Sequence, residues 1–393
     1  MNKKCLRLIG FSLLAGVSAH SAYAATPGVT ADTILLGQSA ALSGPAARLG
    51  ENMRDGAKLY FDEVNRNGGV HGRKIRLVSL DDGYEPARAI ANTKQLIEKD
   101  AVFALFGYVG TPTGYAVIPL VNEAKIPFFG PFTGAEGFRN PVNRNIFNVR
   151  ASYNQETEAL VDFLVSHRKK KIAIFYQDDA YGKAGLGGVQ LAMDKRKLPI
   201  VAMGTVERNT VEVGNAAKTI AKTSPDAIIM VSAYKSCAAF IREMNKTGLR
   251  PDYLNVSFVG SDALAQELGP DGHGVYISQV VPYPWDSGFA VAKEFTALAK
   301  KNAPDLKPSF NNIEGYIAAK ILVEGMRRVG TDLTRETLIK ALESFKDVDV
   351  GNFQLTFSPT NHSGSDYVGL TVIIGTSGSF MPIFKAKPRG AGR

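Results

Sequence analysis

Short runs that are apolar on both faces, alternating with stretches of helical periodicity, constrain this chain more than any other feature. Thr33-Ile34-Leu35-Leu36-Gly37-Gln38 opens the series, the turn Ser43-Gly44-Pro45 follows, and residues 52–66 carry a helical pattern. The beat repeats as strand 75–80, helix 86–99, strand 102–106, helix 113–125 and strand 127–129. A strand covered by helices on both faces of its sheet meets no water, so it reads as an unbroken apolar run rather than an alternation. This pattern predicts a doubly wound parallel sheet.

A second series starts near Val149, with a helix at 154–167, a strand at 172–176, a helix at 185–195 and strands at 200–205 and 227–231. A helix at 236–247 and the strand Phe258-Val259-Gly260 complete it. After Pro282-Tyr283-Pro284-Trp285 come helical patterns at 290–301 and 313–329, then a strand-rich tail over 352–384. That tail is too short for a third core, so it is expected to return and complete the first two units. The expected class is α/β with two doubly wound parallel-sheet lobes. The stretch 386–393, rich in Gly and Pro, reads as a frayed end.

The N-terminus sets the compartment. Lys3, Lys4 and Arg7 precede an apolar run over 8–17, and Ala22-Tyr23-Ala24 supplies a small-x-small cleavage pattern, so residues 1–24 read as a cleaved signal peptide. The run is far shorter than the roughly 20 residues needed to cross a bilayer. Cys5 precedes the run, which does not suit lipid attachment. The mature chain would be periplasmic, 369 residues long, and would keep one cysteine, Cys237, hence no internal disulfide. Losing three basic residues with the signal lowers the net charge from +9 to +6. That charge is dispersed apart from Arg168-Lys169-Lys170-Lys171 and Lys195-Arg196-Lys197, neither interleaved with aromatics, so no nucleic-acid partner is expected.

Doubly wound sheets bind ligands beyond the carboxyl ends of their strands, where helix N-termini offer free amides. Four loops there are polar or glycine-rich: Ser43-Gly44-Pro45, 107–114, 130–134 and 178–182. In the second, Gly107 and Gly110 allow close backbone approach, and Thr111 can offer a hydroxyl and an amide to a carboxylate or simply cap a helix. Enzyme signatures are missing. Gly185-Leu186-Gly187-Gly188 lacks dinucleotide spacing and Gly182-Lys183-Ala184 lacks the P-loop hydroxyl, so both read as loop glycines. His71, His167, His273 and His362 have no metal-ligand spacing, Cys237 has no visible His partner, and capping accounts for one member each of Asp81-Asp82 and Asp178-Asp179. No catalysis, cofactor or metal is expected.

One further pattern is specific. Leu42-Ser43-Gly44-Pro45, Gly50, Gly56, Asn65, Gly68-Gly69-Val70-His71-Gly72-Arg73-Lys74-Ile75, Asp81-Asp82 and Pro86 stand in order, followed by Ile126-Pro127, Asp178-Asp179-Ala180-Tyr181-Gly182 and Gly260-Ser261-Asp262. With these the chain resembles the solute-binding proteins of branched-chain amino-acid ABC importers, over essentially the whole mature sequence. The resemblance implies a type I periplasmic binding fold, two lobes joined by a multi-strand hinge, with 25–147 plus 282–355 in lobe 1 and 148–281 plus 356–393 in lobe 2. It implies a monomer that captures a small ligand, a neutral or branched-chain amino acid, and delivers it to an ABC permease. By the same resemblance Thr111 and the loop Phe132-Thr133-Gly134 hold a ligand carboxylate, with Gly110 in the same turn. Asp262 takes the ammonium, helped by Tyr181; Tyr234 is a further cleft tyrosine; Leu49 and Val109 line the side-chain pocket. Asp262 can also be read as a helix cap after Ser261. Departures are Gly134 where relatives often carry Thr, a bulkier Phe132, Leu49 in place of an aromatic wall, and Tyr84 and Gly110 in place of a cysteine pair. These leave the side-chain preference open, while Thr111, Tyr181 and Asp262 keep the α-amino-acid class; the rival readings are a small amide, urea-like compound or aromatic acid as ligand, and a sensing domain that acts on a receptor.

Overall fold

We describe a computed structural model of the chain over residues 26–286, 288–376 and 378–384. The signal segment, Cys5 and the tail 386–393 lie outside the described residues. The first half lays down β1 (Thr33–Ala40), α1 (Ala47–Arg66), β2 (Lys74–Asp81), α2 (Pro86–Lys94), β3 (Ala104–Phe106), α3 (Thr111–Ala124), β4 (Phe128–Phe129) and β5 (Ile146–Phe147). Its five strands form an all-parallel sheet in the order β2-β1-β3-β4-β5. Strand β3 and both residues of β4 and β5 are fully buried, as a sheet covered on both faces requires.

The second unit contains α4 (Tyr153–Ser166), β6 (Ile172–Gln177), α5 (Ala180–Lys195), β7 (Ile200–Val206), α6 (Gly214–Ala221), β8 (Ala227–Val231), α7 (Tyr234–Asn245), β9 (Asp252–Asn255), α8 (Ser261–Leu268) and β10 (Tyr276–Gln279). The chain then returns to pack α9 (Ala290–Asn302), α10 (Phe310–Val329) and α11 (Arg335–Glu343) with the first unit, adds the small pair β11 (Val348–Asp349) and β12 (Gln354–Leu355), and ends on β13 (Gly369–Ile374) and β14 (Ser379–Phe384). The second sheet runs β14-β13-β10-β9-β8-β6-β7, with β13 antiparallel to β10 and the core parallel. The tail therefore closes the second sheet instead of making a domain. The chain passes between the units three times, and the first and third passes are tied together where Asn148 N–H donates to His362 O (2.8 Å) and Gly364 N–H donates to Asn148 O (2.8 Å). Among the described residues no helix is long and apolar enough to cross a membrane.

Helix starts follow local chemistry. Ser152 caps α4 and Ser309 caps α10 in reciprocal boxes with Gln155 and Asn312, and Pro86 sits in the first turn of α2, where its missing N–H costs nothing. Four sequence expectations need correction. Phe258-Val259-Gly260 is not a strand: Ser257–Val259 form a 3₁₀ turn that Gly260 ends, and the strand is β9, whose terminal Asp252 and Asn255 hid it. The last five residues of the predicted 86–99 helix, Gln95–Lys99, form a π-helical turn. Gly182, Gly185, Gly187 and Gly188 lie inside α5 rather than in a loop. Asp81 and Asp82 cap no helix: Asp81 accepts from Leu42 N–H and the Ser43 hydroxyl, and Asp82 accepts from the Ser39 hydroxyl and Tyr84 N–H, which cross-links the loops after β1 and β2.

Candidate functional site

The carboxyl ends of the two parallel sheets face each other, and the loops leaving them meet. In the first lobe, Gly110 adopts φ 112°, a backbone region natural to glycine, and this turns the chain into α3. A side chain there would also strike Tyr84, whose ring lies 2.3 Å from the would-be Cβ. Beyond the ends of β3 and β4 the backbones stay paired, with Phe132 N–H donating to Tyr108 O (2.7 Å) and Gly110 N–H to Phe132 O (3.2 Å). This pairing holds Val109 opposite Phe132 and brings the Thr111 and Thr133 hydroxyls to 2.6 Å, both fully buried. Thr111 makes no cap bond; its hydroxyl faces the neighbouring loop. Arg139 braces that loop by donating to Thr133 O (3.3 Å) and Ala135 O (2.9 Å).

The second lobe contributes a wedge. Phe258 stacks obliquely on Tyr181 (4.5 Å between centroids), on Phe132 (5.3 Å) and on Tyr84 (6.0 Å), so one ring from the second lobe fills the space between three others. Its position is set from below, because the buried Glu156 carboxylate accepts from Ser257 N–H (2.8 Å), the Ser257 hydroxyl (3.1 Å) and the Ser278 hydroxyl (2.6 Å). Tyr181 is held at the start of α5, where Asp179 accepts from Tyr181 N–H (2.9 Å), while the Tyr181 hydroxyl itself has no hydrogen-bond partner.

Leu49, Tyr234 and Asp262 gather round Gly260 as a second cluster. Leu49 Cδ2 comes within 2.5 Å of where a Gly260 Cβ would stand, with Tyr234 beside it. Asp262, the second residue of α8, reaches across to the first lobe and accepts from Phe310 N–H at 3.2 Å. Burial pushes its carboxyl up to about 7, against the opposing pull of the Phe310 amide and Arg48. It borders a cavity of about 890 Å³ that Arg48, Asn52, Gln266, Trp285 and Ser309 also line. Thus Thr111, Phe132, Thr133, Gly134 and Tyr181 form one cluster; Leu49, Tyr234 and Asp262 form another; the stretch 258–262 joins them; Val109 sits opposite Phe132, and Gly110 lies against Tyr84.

Sequence reasoning missed Phe258, Arg150 and Tyr153. Arg150 is buried beneath Phe132, its guanidinium carbon 4.5 Å from the ring centroid, and its Nε is 3.1 Å from Glu314 Oε1. Tyr153 is buried against Gly134, where a Cβ would lie 2.4 Å from the tyrosine ring. The available signal was a charged residue and an aromatic flanking a helix cap, Arg150-Ala151-Ser152-Tyr153, directly after an apolar run. Among the described residues no three His, Cys, Asp or Glu side chains converge as a metal site would, and burial pushes the Cys237 thiol far up, which leaves it unreactive.

A periplasmic binding protein family profile matches residues 33–376. The chain belongs to that family. A Leu/Ile/Val-binding protein homologue of Brucella suis is 24% identical over 366 residues, covering 89% of this chain and 88% of that one. A possible leucine/isoleucine/valine-binding protein of Rhodopirellula baltica, known by crystal structure, is 36% identical with a TM-score of 0.87 over 92% of this chain and 98% of its own. A substrate-binding periplasmic protein of Ralstonia solanacearum is 33% identical with a TM-score of 0.84 over 89% and 99% of the two chains. This periplasmic binding protein has the type I fold of the leucine/isoleucine/valine-binding kind, and it is a solute-binding protein, not an enzyme. Its family is extracytoplasmic and binds small molecules.

Proposed function

We propose that this protein captures a neutral or branched-chain amino acid by closing its two lobes over it and hands it to an ABC permease, acting as a periplasmic monomer after loss of residues 1–24. The observation that carries this reading is the division of charge between the lobes. One lobe offers the paired hydroxyls of Thr111 and Thr133 at the N-terminus of α3, which suits a carboxylate; the other offers Asp262 and Tyr181, which suit an ammonium. In this reading Gly110, Phe132 and Gly134 shape the carboxylate turn, Leu49 and Val109 line the side-chain pocket, and Tyr234 flanks it. Only the closed form engages both ends of the ligand, so binding drives closure. The moving bodies are 25–147 plus 282–355 and 148–281 plus 356–393.

A second reading is favoured by one observation. Asp262 already serves the Phe310 amide and is held near neutrality, and the neighbouring cluster is aromatic. A small amide, a urea-like compound or an aromatic acid would use that cluster without needing a charged Asp262. A thermal-shift screen of residues 25–393, stripped of carried-over ligand by unfolding and refolding, separates the two. A ligand at 100 times its Kd stabilises by about 2.7 kcal/mol. Shifts confined to neutral amino acids support the first reading; shifts confined to amides or aromatic acids replace it with the second.

A further inference from the structure

Arg150, in the link between β5 and α4, and Tyr153, the first residue of α4, each keep a buried polar atom without a hydrogen-bond partner beside the Phe132–Gly134 turn. Arg150 is 1% exposed. Its Nη2 donates to the Ser257 hydroxyl and its Nε faces Glu314, without the alignment of a hydrogen bond, but Nη1 has no partner. Tyr153 is 0% exposed, and its hydroxyl lies beside the Thr133 hydroxyl and the Gly134 amide without a well-formed hydrogen bond to either. The ring of Phe132 under Arg150 and the bare Gly134 under Tyr153 aim both groups at the same turn.

A guanidinium N–H cannot accept, and a buried donor left unmet is costly, so the group that completes this corner must be an acceptor. The carboxylates of Glu314 and Glu156 already balance the charge of Arg150, so what Nη1 lacks is an acceptor within hydrogen-bond reach, and a carboxylate oxygen is the strongest such acceptor. Glu314 faces Nε at 3.1 Å and leaves Nη1 without a partner, so it does not meet this need.

We propose that Arg150 Nη1 and Tyr153 Oη are a further part of the ligand site, where they anchor an organic carboxylate against the Thr133-Gly134 turn. This rests on reading the cleft as a carboxylate site, and it adds that the acid group, rather than the ammonium, is the feature every ligand must carry. The ligand class is a carboxylic acid with an apolar body lying along Phe132 and Phe258.

The test uses acid and amide pairs on the refolded protein: L-leucine with L-leucinamide, isovalerate with isovaleramide, benzoate with benzamide. Affinities are compared for wild type, Tyr153→Phe and Arg150→Lys. Because the Tyr153 hydroxyl makes no well-formed hydrogen bond in the fold, Tyr153→Phe leaves the ligand-free melting temperature close to that of wild type while it weakens the binding acid at least five-fold; Arg150→Lys weakens it further. Each acid that binds does so at least ten-fold better than its amide. Equal affinity of all three proteins for a binding acid overturns this inference and leaves amino-acid capture standing. Isovalerate or benzoate binding that Tyr153→Phe weakens, with no response to L-leucine, supports the anchor and removes the amino-acid reading. Amides that bind as well as their acids, or no acid binding at all, overturn both.

Discussion

Asp262 shows how one residue can couple ligand chemistry to pH. Its carboxyl is pushed up to about 7 by burial, so an ammonium-bearing ligand must displace a proton there below neutrality. Affinity for a neutral amino acid should therefore fall between pH 7 and pH 5, and titration calorimetry in buffers of different ionisation heat should show proton release. Replacing Asp262 by Ala removes a charge-assisted bond of about 1.5–3 kcal/mol, so affinity should drop by roughly 10- to 100-fold. Unchanged affinity would remove the assigned ammonium role. Stability without ligand has the opposite pH dependence. Burial raises Asp82 from 3.8 to about 6, Asp262 from 3.8 to about 7 and Glu314 from 4.5 to about 7. The folded state then holds more protons than the unfolded chain between about pH 4 and 7, so this contribution is complete below pH 4 and is lost as pH rises through 6 to 7. Asp81, lowered to about 2, acts with the opposite sign but only below pH 4. The ligand-free melting temperature should be higher at pH 5 than at pH 8, as calorimetric scans at the two pH values would show.

At the scale of elements, α5 separates packing from propensity. A Cβ on Gly185 would lie 2.4 Å from Val231, whereas one on Gly187, exposed on the same helix, meets nothing within 4 Å. Gly185→Val should cost about 1–3 kcal/mol by overpacking, and Gly187→Ala should add about 0.5–1 kcal/mol, both read from chemical denaturation. Such glycines explain where sequence reading failed. Without neighbours in view, Gly182 and Gly185 to Gly188 look like loop glycines even beside a helical pattern at 185–195; the close approach of Gln177 to Gly182, of Val231 to Gly185 and of Thr157 to Gly188 shows why α5 carries glycine at those three positions. The long apolar runs of β1, β6 and β8 were legible because burial on both faces leaves one composition. Strand β9 was not, since its Asp252 and Asn255 carry polar groups where a buried run was sought, while the apolar Phe258 just beyond belongs to the cleft. Helix α10 was legible from periodicity, but its first turn was not, because Ser309 and Asn312 cap it with polar chemistry.

For the whole molecule, the lobes touch outside the candidate site as well. Arg208, in the loop after β7, pairs with Glu85 of the first lobe at 2.9 Å and with Asp179 at 3.3 Å, and Asn209 donates to Glu85 Oε1 (2.7 Å) and Gly83 O (3.1 Å). Asp179 lies in the same lobe as Arg208 and holds its guanidinium in place, whereas the bonds to Glu85 and Gly83 exist only when the lobes are together. They are partly exposed and each contributes less than about 1 kcal/mol, so Arg208→Ala should weaken ligand affinity by about five-fold or less, mainly by faster release. Stopped-flow dissociation would show it. Order along the chain could suggest a pair of lobes, but not that residues more than a hundred positions apart, such as Glu85 and Arg208, would meet. The same distance in sequence hid Arg150 and Glu314, whereas Thr111 was proposed from a glycine-rich loop after a strand, and Tyr181 and Asp262 were proposed from the family resemblance. The central claim, capture of an amino acid between the lobes, is tested most directly by isothermal titration of refolded, ligand-free residues 25–393 with L-leucine, L-isoleucine and L-valine. The account predicts saturable one-to-one binding of at least one of them, with affinity lost in Asp262→Ala. No heat from any of the three, at concentrations where an amide or aromatic acid binds the same sample, would contradict it.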